Sequence, residues 1–96
     1  MAAYFIIETR TKDKDSYAKY ISQVRPIVES FGGKYLSRGG KTTPVFGGWD
    51  PERMILIEFP SSDDIKRWLE SPEYKKISGL RENSTITRAV IIEGIK

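Results

Sequence analysis

The chain contains neither cysteine nor histidine among its 96 residues. Without cysteine it can form no disulfide, has no thiolate nucleophile and offers no sulfur ligand to a metal ion. Without histidine it lacks the commonest general base, the commonest metal ligand and the usual axial ligand of haem. We therefore expect no resident metal and no cofactor, and any chemistry must use carboxylates, hydroxyls, lysine or arginine.

Long apolar segments and clustered charge are missing as well. No run approaches the ~20 residues that a helix needs to cross a bilayer, and the first residues lack the features of a signal peptide. The formal net charge is +3, from 16 basic and 13 acidic residues that are interspersed, whereas nucleic-acid modules usually carry a clustered basic face. The sequence predicts a cytoplasmic protein that binds neither membranes nor nucleic acid.

The hydrophobic pattern predicts a single domain, residues 1–96, with the order strand, helix, strand, strand, helix, strand. The first helix carries apolar residues at spacings of three and four from Tyr17 to Phe31 and ends at Gly32. The second helical region restarts at Ser71-Pro72, a cap followed by a first-turn proline. The strands are predicted at residues 4–10, 34–38, 53–59 and 85–93. This order is typical of the α+β class, as a ferredoxin-like βαββαβ sandwich with one four-stranded antiparallel sheet.

Three of the strands are too apolar for a sheet that is covered on one face only. Their central runs are Tyr4–Ile7, Met54–Ile57 and Ala89–Ile92. Runs without alternation indicate burial on both faces, and an uncovered apolar face is a partner site. We expect a homodimer in which two sheets face each other, with Ile6, Met54 and Leu56 at the interface; the alternative is a monomer with weakly patterned strands.

Glu58 is the candidate catalytic residue. We expect strands one and three to be a parallel central pair, which would place Glu8 and Glu58 near the same ends. Alternation puts Glu58 on the face of Met54 and Leu56, between the two sheets. A carboxylate there needs a partner or a raised pKa. It would act as a general base or hold a polar ligand, unless a salt bridge across the interface neutralises it.

Two arginines are candidate ligand-binding residues. Arg38 and Arg53 flank a long connection rich in glycine and proline, residues 39–52, and connections of this length are often functional. Paired guanidinium groups suit a carboxylate or a phosphate. The alternative is that they pair with Asp50, Glu52 or backbone carbonyls.

Three aromatic residues complete the predicted ligand-binding set. Trp49 lies in the connection, and Trp68 and Tyr74 lie in the second helical region. The tryptophans serve as anchors of the core or the interface, or as stacking surfaces for a ligand. Tyr74 packs in the core with a hydroxyl that can reach a cavity.

Several motifs in a fixed order cover nearly the whole chain: "YxxY" from Tyr17, "FGGKYLSRGG", "GGWDPERMILIEFP", "WLESPEY" and the closing "VIIEG". Together they resemble the domain-of-unknown-function family thirteen-thirty, in the dimeric α/β-barrel superfamily. The resemblance implies ferredoxin-like subunits that pair through their sheets into a barrel-like dimer. That family has no settled activity, so the resemblance implies positions to watch but no catalytic set: Arg38, Gly39, Gly40, Trp49, Arg53, Glu58, Trp68, Ser71, Tyr74 and Arg81.

Three functions remain open from the sequence. The first is the binding of a small, partly apolar molecule in a cavity between sheet and helices or between sheets. The second is a cofactor-independent enzyme, monooxygenase- or isomerase-like, with Glu58 as base and Arg38 or Arg53 holding an anion. The third is a structural or interaction module without a ligand. An unpaired Glu58 in a cavity would favour the enzyme, and a Glu58 locked to arginine would favour the module.

Overall fold

The computed structural model describes residues 1–95, in which four strands and three helices form. They follow the chain as β1 (Ala3–Thr11), α1 (Lys14–Ser30), β2 (Lys34–Arg38), β3 (Arg53–Phe59), α2 (Ser62–Glu70), α3 (Pro72–Ser84) and β4 (Thr85–Glu93). The predicted βαββαβ order is confirmed, with the second helical region divided into α2 and α3. The first strand is longer than predicted by one residue at each end.

Local sequence signals explain the bounds of α1. The Asp13 carboxylate accepts hydrogen bonds from the backbone N–H groups of Asp15 and Ser16, which have no partner within the helix. Gly32 follows the helix with a φ of 86°, a conformation that glycine adopts without strain. Pro26 lies on the exposed side of α1, and the helix continues through it.

Ser71 both ends α2 and begins α3. Its backbone N–H donates to the carbonyl of Trp68, and its hydroxyl accepts from the Tyr74 N–H at 3.2 Å. Pro72 occupies the first turn of α3, where its missing N–H costs nothing. This junction fixes the relative positions of Trp68 and Tyr74.

The sheet has the strand order β2-β3-β1-β4, and all neighbouring strands are antiparallel. The expectation that β1 and β3 run parallel is wrong. The crossover through α1 gives β2 the direction of β1, and the reversal between β2 and β3 then turns β3 against both. Glu58 lies opposite Tyr4, and Glu8 lies opposite Met54. The two glutamates are therefore at different ends of the sheet.

The three helices cover one face of the sheet, and Trp68 occupies the centre of the core between them. Its ring centroid lies 5.5 Å from that of Phe5, 5.6 Å from that of Phe59 and 4.8 Å from that of Tyr74. A fully buried side chain such as Phe59 contributes about 1.5–3 kcal/mol through removal of apolar area from water.

The other face of the sheet, here called the open face, has no helix over it. It consists of the residues that alternate with the core positions of the three longest strands. These are Tyr4, Ile6, Glu8, Arg10, Met54, Leu56, Glu58, Ile86, Arg88, Val90 and Ile92. Ile86, Val90 and Ile92 are more than half exposed there. No helix within residues 1–95 is long and apolar enough to span a membrane.

Candidate ligand-binding site

A cavity of about 180 Å³, here called the inner cavity, lies between the helix-covered face of the sheet and the helices. Three helices and three strands supply its walls. The lining residues are Phe5, Ile7, Thr9, Tyr17, Tyr20, Ile55, Trp68, Leu69, Tyr74, Arg81, Thr87 and Ala89. Arg81 alone is charged among the described residues of this lining. The inner cavity is thus mainly apolar, with a few polar groups in its wall.

Helical spacing brings the polar side chains of the wall to one place. Tyr17 and Tyr20 are three residues apart on α1 and stack with ring centroids 6.0 Å apart. Tyr74 and Arg81 are seven residues apart on α3, two helical turns on the same side. Packing of α1 against α3 brings these pairs together.

Trp68 contributes an indole N–H that has no hydrogen-bond partner among residues 1–95. The side chain is 1% exposed, so water does not compensate for the missing bond. A buried donor left unsatisfied costs about 1–3 kcal/mol. The sequence predicted Trp68 as a core anchor or a ligand-binding residue, and the structure places it in both the core and the cavity wall.

Tyr20, Tyr74 and Arg81 form a hydrogen-bonded chain along the wall. Arg81 Nε donates to the Tyr74 hydroxyl at 3.1 Å, and the Tyr20 and Tyr74 hydroxyls lie 2.9 Å apart. The Nε–H of Arg81 and the two hydroxyls carry three hydrogens, and the two bonds use two of them. One tyrosine hydroxyl hydrogen therefore has no acceptor among residues 1–95. Burial, and then the neighbouring Tyr74, raise the pKa of Tyr20, which keeps its hydroxyl protonated at neutral pH.

The threonines at the end of the wall already satisfy one another. The Thr87 hydroxyl lies 3.2 Å from that of Thr9 and 2.8 Å from that of Thr85. Within residues 1–95, the buried donors of the wall that keep an unused hydrogen therefore include the Trp68 indole and one hydroxyl of the Tyr20–Tyr74 pair.

Arg53 neighbours two residues of the inner cavity without lining the cavity itself. It shares a face of β3 with Ile55 and lies opposite Thr9 on β1, and both of these residues line the cavity. Its guanidinium carbon is 5.6 Å from the centroid of the Tyr17 ring. Gly39 makes room for it, since a Cβ there would lie 2.3 Å from Arg53 Nη1.

Arg38 takes a different position. Its guanidinium carbon lies 5.3 Å from the centroid of the Tyr35 ring. Burial raises the pKa of the Tyr35 hydroxyl to about 12. Neither Arg38 nor Arg53 forms an ion pair within residues 1–95, with Asp50 or Glu52 included. The two arginines stack on separate tyrosines rather than forming one anion clamp.

Trp49 lies on the open face, away from the inner cavity. Its indole N–H donates to Glu8 Oε2 at 3.0 Å, and Arg88 Nε donates to the other carboxylate oxygen. The hydrogen bond from Trp49, and then that from Arg88, lower the pKa of Glu8. Together with Ile6, Met54, Ala89 and Val90, these three residues line a surface hollow of about 350 Å³.

Glu58 also lies on the open face, so the wall formed by Trp68 and Tyr74 does not include it. Its carboxylate accepts a hydrogen bond from the Tyr4 hydroxyl at 3.4 Å and has no cationic partner within residues 1–95. The predicted interface residues Ile6, Met54 and Leu56 share this face, with Ile6 opposite Leu56. No group of three acidic side chains in the same residues is placed to hold a metal ion.

The sequence did not single out Tyr17 and Tyr20 as site residues, and Arg81 was named only through the family motifs. In the sequence, the tyrosines are two positions of an apolar helical stripe. The signal that could have found them is chemical, because a buried tyrosine hydroxyl needs a partner. Two tyrosines on the inner side of one helix therefore indicate a polar spot in the core.

Solved structures share the fold along nearly the whole chain. RPA0582, a protein of unknown function from Rhodopseudomonas palustris, matches with 18% identity and a TM-score of 0.82 over 99% of this chain and 83% of its own. A dimeric ferredoxin-like protein of unknown function from Jannaschia sp. CCS1 matches with 11% identity and a TM-score of 0.78 over 98% of this chain and 100% of its own.

A third structure carries a described activity. SnoaB, a cofactor-independent oxygenase from Streptomyces nogalater, matches with 8% identity and a TM-score of 0.71 over 99% of this chain and 94% of its own. At these identities the likeness concerns the fold alone. No curated protein matches the chain significantly. The family model for the domain of unknown function DUF1330 matches residues 2–95. The chain belongs to the DUF1330 family.

Proposed function

We propose that this protein binds a small, partly apolar molecule in the inner cavity. The observation that carries the proposal is the Trp68 indole N–H, which has no partner within residues 1–95 and belongs to a side chain that lines the cavity. A ligand oxygen that accepts from Trp68 would remove the cost of that unsatisfied donor. The spare tyrosine hydroxyl hydrogen of the Tyr20–Tyr74 pair offers a second bond from the same wall.

The size of the inner cavity limits the ligand to about one ring. In another protein, an engineered apolar cavity of about 150 Å³ holds a single benzene molecule. The volume of about 180 Å³ found here leaves room for such a ring and a small substituent. The aromatic side chains Phe5, Tyr17, Trp68 and Tyr74 supply edges and faces for packing against it.

The polar groups of the wall favour an acceptor on the ligand. Trp68 is a donor only, Arg81 is always protonated, and one tyrosine hydroxyl has a hydrogen to donate. No carboxylate belongs to the described lining of the cavity. A carbonyl, carboxylate or enol oxygen fits this set better than an amine.

The open face supports a homodimer as the working assembly. Its exposed aliphatic residues, with Ile6, Met54 and Leu56 between them, form an apolar surface. Contact of such a surface with water is unfavourable. Solved neighbours from Jannaschia and Bacteroides fragilis are described as dimeric with a ferredoxin-like fold. We propose that two copies of this chain pair through their open faces.

An enzymatic role for Glu58 is the second candidate function. Glu58 has no cationic partner within residues 1–95, whereas Glu8 on the same face is paired with Arg88. An unpaired carboxylate between two sheets would be available as a general base. Once a reaction is found, Glu58→Gln should abolish turnover and Glu8→Gln should not; unchanged turnover in Glu58→Gln would remove this role.

Native mass spectrometry of gently isolated protein tests the binding function. We expect the mass of two chains with a bound molecule of single-ring size, which denaturation releases for identification. Trp68→Phe should lose that molecule, and Trp49→Phe, on the open face, should keep it. A wild-type protein that carries no ligand and takes up no single-ring oxygen compound would contradict the proposal.

A further inference from the structure

Arg53 is a cation without a counter-ion among residues 1–95, and it lies next to residues of the inner cavity. Its Nε is shielded from solvent and has no hydrogen-bond partner among residues 1–95. No acidic side chain in the same residues lies within ion-pair distance of it. A shielded guanidinium nitrogen without an acceptor is unfavourable. The Arg53 side chain also lines a surface hollow, where a group that the chain itself does not supply can reach it.

The surroundings of Arg53 connect it to the inner cavity. Tyr17 lines both the inner cavity and a surface hollow. Arg53 and Lys14 line the same hollow. Thr9 and Ile55, the neighbours of Arg53 across and along the sheet, line the cavity as well. A molecule with its ring in the cavity would therefore approach Arg53 with a substituent that passes the Tyr17 ring.

The charges around this hollow favour an anion. Lys14 and Arg53 are cationic, and the one carboxylate in the described lining of the hollow is Glu52. Glu52 Oε2 accepts a hydrogen bond from the Thr11 backbone N–H at 2.8 Å and forms no ion pair with Arg53. A planar guanidinium presents parallel N–H groups that match a carboxylate.

We infer that the ligand is a ring-containing carboxylic acid, bound with its ring in the inner cavity and its carboxylate on Arg53 beside Tyr17. The inference rests on the proposed binding function and narrows its ligand class. The bond is a charge-assisted contact and includes no covalent step. Arg38, which stacks on Tyr35 at the other side of the connection, has no part in it.

Calorimetric binding of 3-phenylpropanoate and of its primary amide tests the inference, because the two differ in charge and hardly in shape. The wild type should bind the acid about tenfold more tightly than the amide. Arg53→Gln should remove the difference, and the matched control Arg38→Gln should preserve it. Arg53→Lys keeps the charge without the planar fork and should retain part of the preference, which covers the case of a poorly folded Arg53→Gln.

The possible failures separate this inference from the binding function. Equal binding of acid and amide by the wild type would overturn the anion inference and leave the binding function standing. A preference that persists in Arg53→Gln would overturn the role of Arg53. If neither probe bound, the ring-acid class would be wrong, and the native mass experiment would decide the binding function by itself.

Discussion

The Tyr74 hydroxyl is the central member of the hydrogen-bonded chain in the cavity wall. It accepts from Arg81 and shares a bond with Tyr20, so its loss leaves the buried Tyr20 hydroxyl and the half-buried Arg81 Nε without this partner. We expect Tyr74→Phe to lower the free energy of unfolding by about 1–3 kcal/mol. Tyr20→Phe breaks one bond only and should cost about 1 kcal/mol. Urea unfolding of the two variants measures the difference. An equal loss of unfolding free energy in both would contradict the central position of Tyr74 among these hydrogen bonds.

The titration of Glu8 should be observable through the fluorescence of one neighbouring side chain, Trp49. The pKa of Glu8 in the folded protein lies below the usual 4.5, so the contact with Trp49 and Arg88 is complete above that pH and is lost as pH falls through the lowered value. In a Trp68→Phe background, Trp49 emission should stay constant from neutral pH to about pH 5 and change at lower pH. The same scan with Glu8→Gln should show no such change; a transition near neutral pH would contradict the assignment.

At the scale of the elements, Gly33 lies where the end of α1 packs closely against the sheet. A Cβ there would lie 2.4 Å from Val28 Cγ1 and 2.9 Å from Phe59 Cζ, two side chains with no exposed surface. We expect Gly33→Ala to destabilise the protein by about 1–3 kcal/mol through overpacking.

Gly79 in α3 is the matched control for this substitution. A Cβ at Gly79 would meet no atom within 4 Å. Gly79→Ala should therefore stabilise the helix by about 0.5–1 kcal/mol, since alanine loses less backbone entropy. Thermal or urea unfolding should show changes of opposite sign in the stability of the two variants. Destabilisation by both would contradict the packing argument.

The sequence predicts the elements well because their signals are local. Asp13, Gly32 and the Ser71-Pro72 pair mark helix ends within a few residues of themselves, and the strands at 34–38, 53–59 and 85–93 have the predicted bounds. The relative direction of two strands is not local. It depends on the whole order of crossovers, which is why the parallel pairing of β1 and β3 was wrong.

The site could be predicted only in part for the same reason. Trp68 and Tyr74 stand out individually as large aromatics next to a helix cap. Their connection to Tyr20 depends on contacts between residues 54 apart in the chain. The position of Glu58 outside the inner cavity follows from strand alternation, which the sequence did show, whereas the cavity itself exists only once the helices have packed.

At the scale of the whole molecule, we propose that two copies of the chain pair through their open faces. Leu56 lies near the middle of that face, opposite Ile6 on β1. A charge there would be buried without a partner, so Leu56→Asp should convert a dimer into a monomer on a sizing column. Ser78→Asp, on α3 and so on the other side of the sheet from the open face, should leave the dimer intact. A dimer that persists in Leu56→Asp would contradict sheet-to-sheet pairing.

We propose that the Trp68 indole N–H donates a hydrogen bond to a ligand oxygen. This bond can be measured directly, because the chain has only two tryptophans and each gives its own indole N–H signal. Labelled with nitrogen-15, the chain shows two indole N–H resonances, which Trp49→Phe assigns. Titration with single-ring oxygen compounds such as 3-phenylpropanamide and 3-phenylpropanoate should shift the Trp68 resonance and leave that of Trp49, already bonded to Glu8, in place. A Trp68 resonance that stays fixed with every compound, or a shift confined to Trp49, would contradict the account.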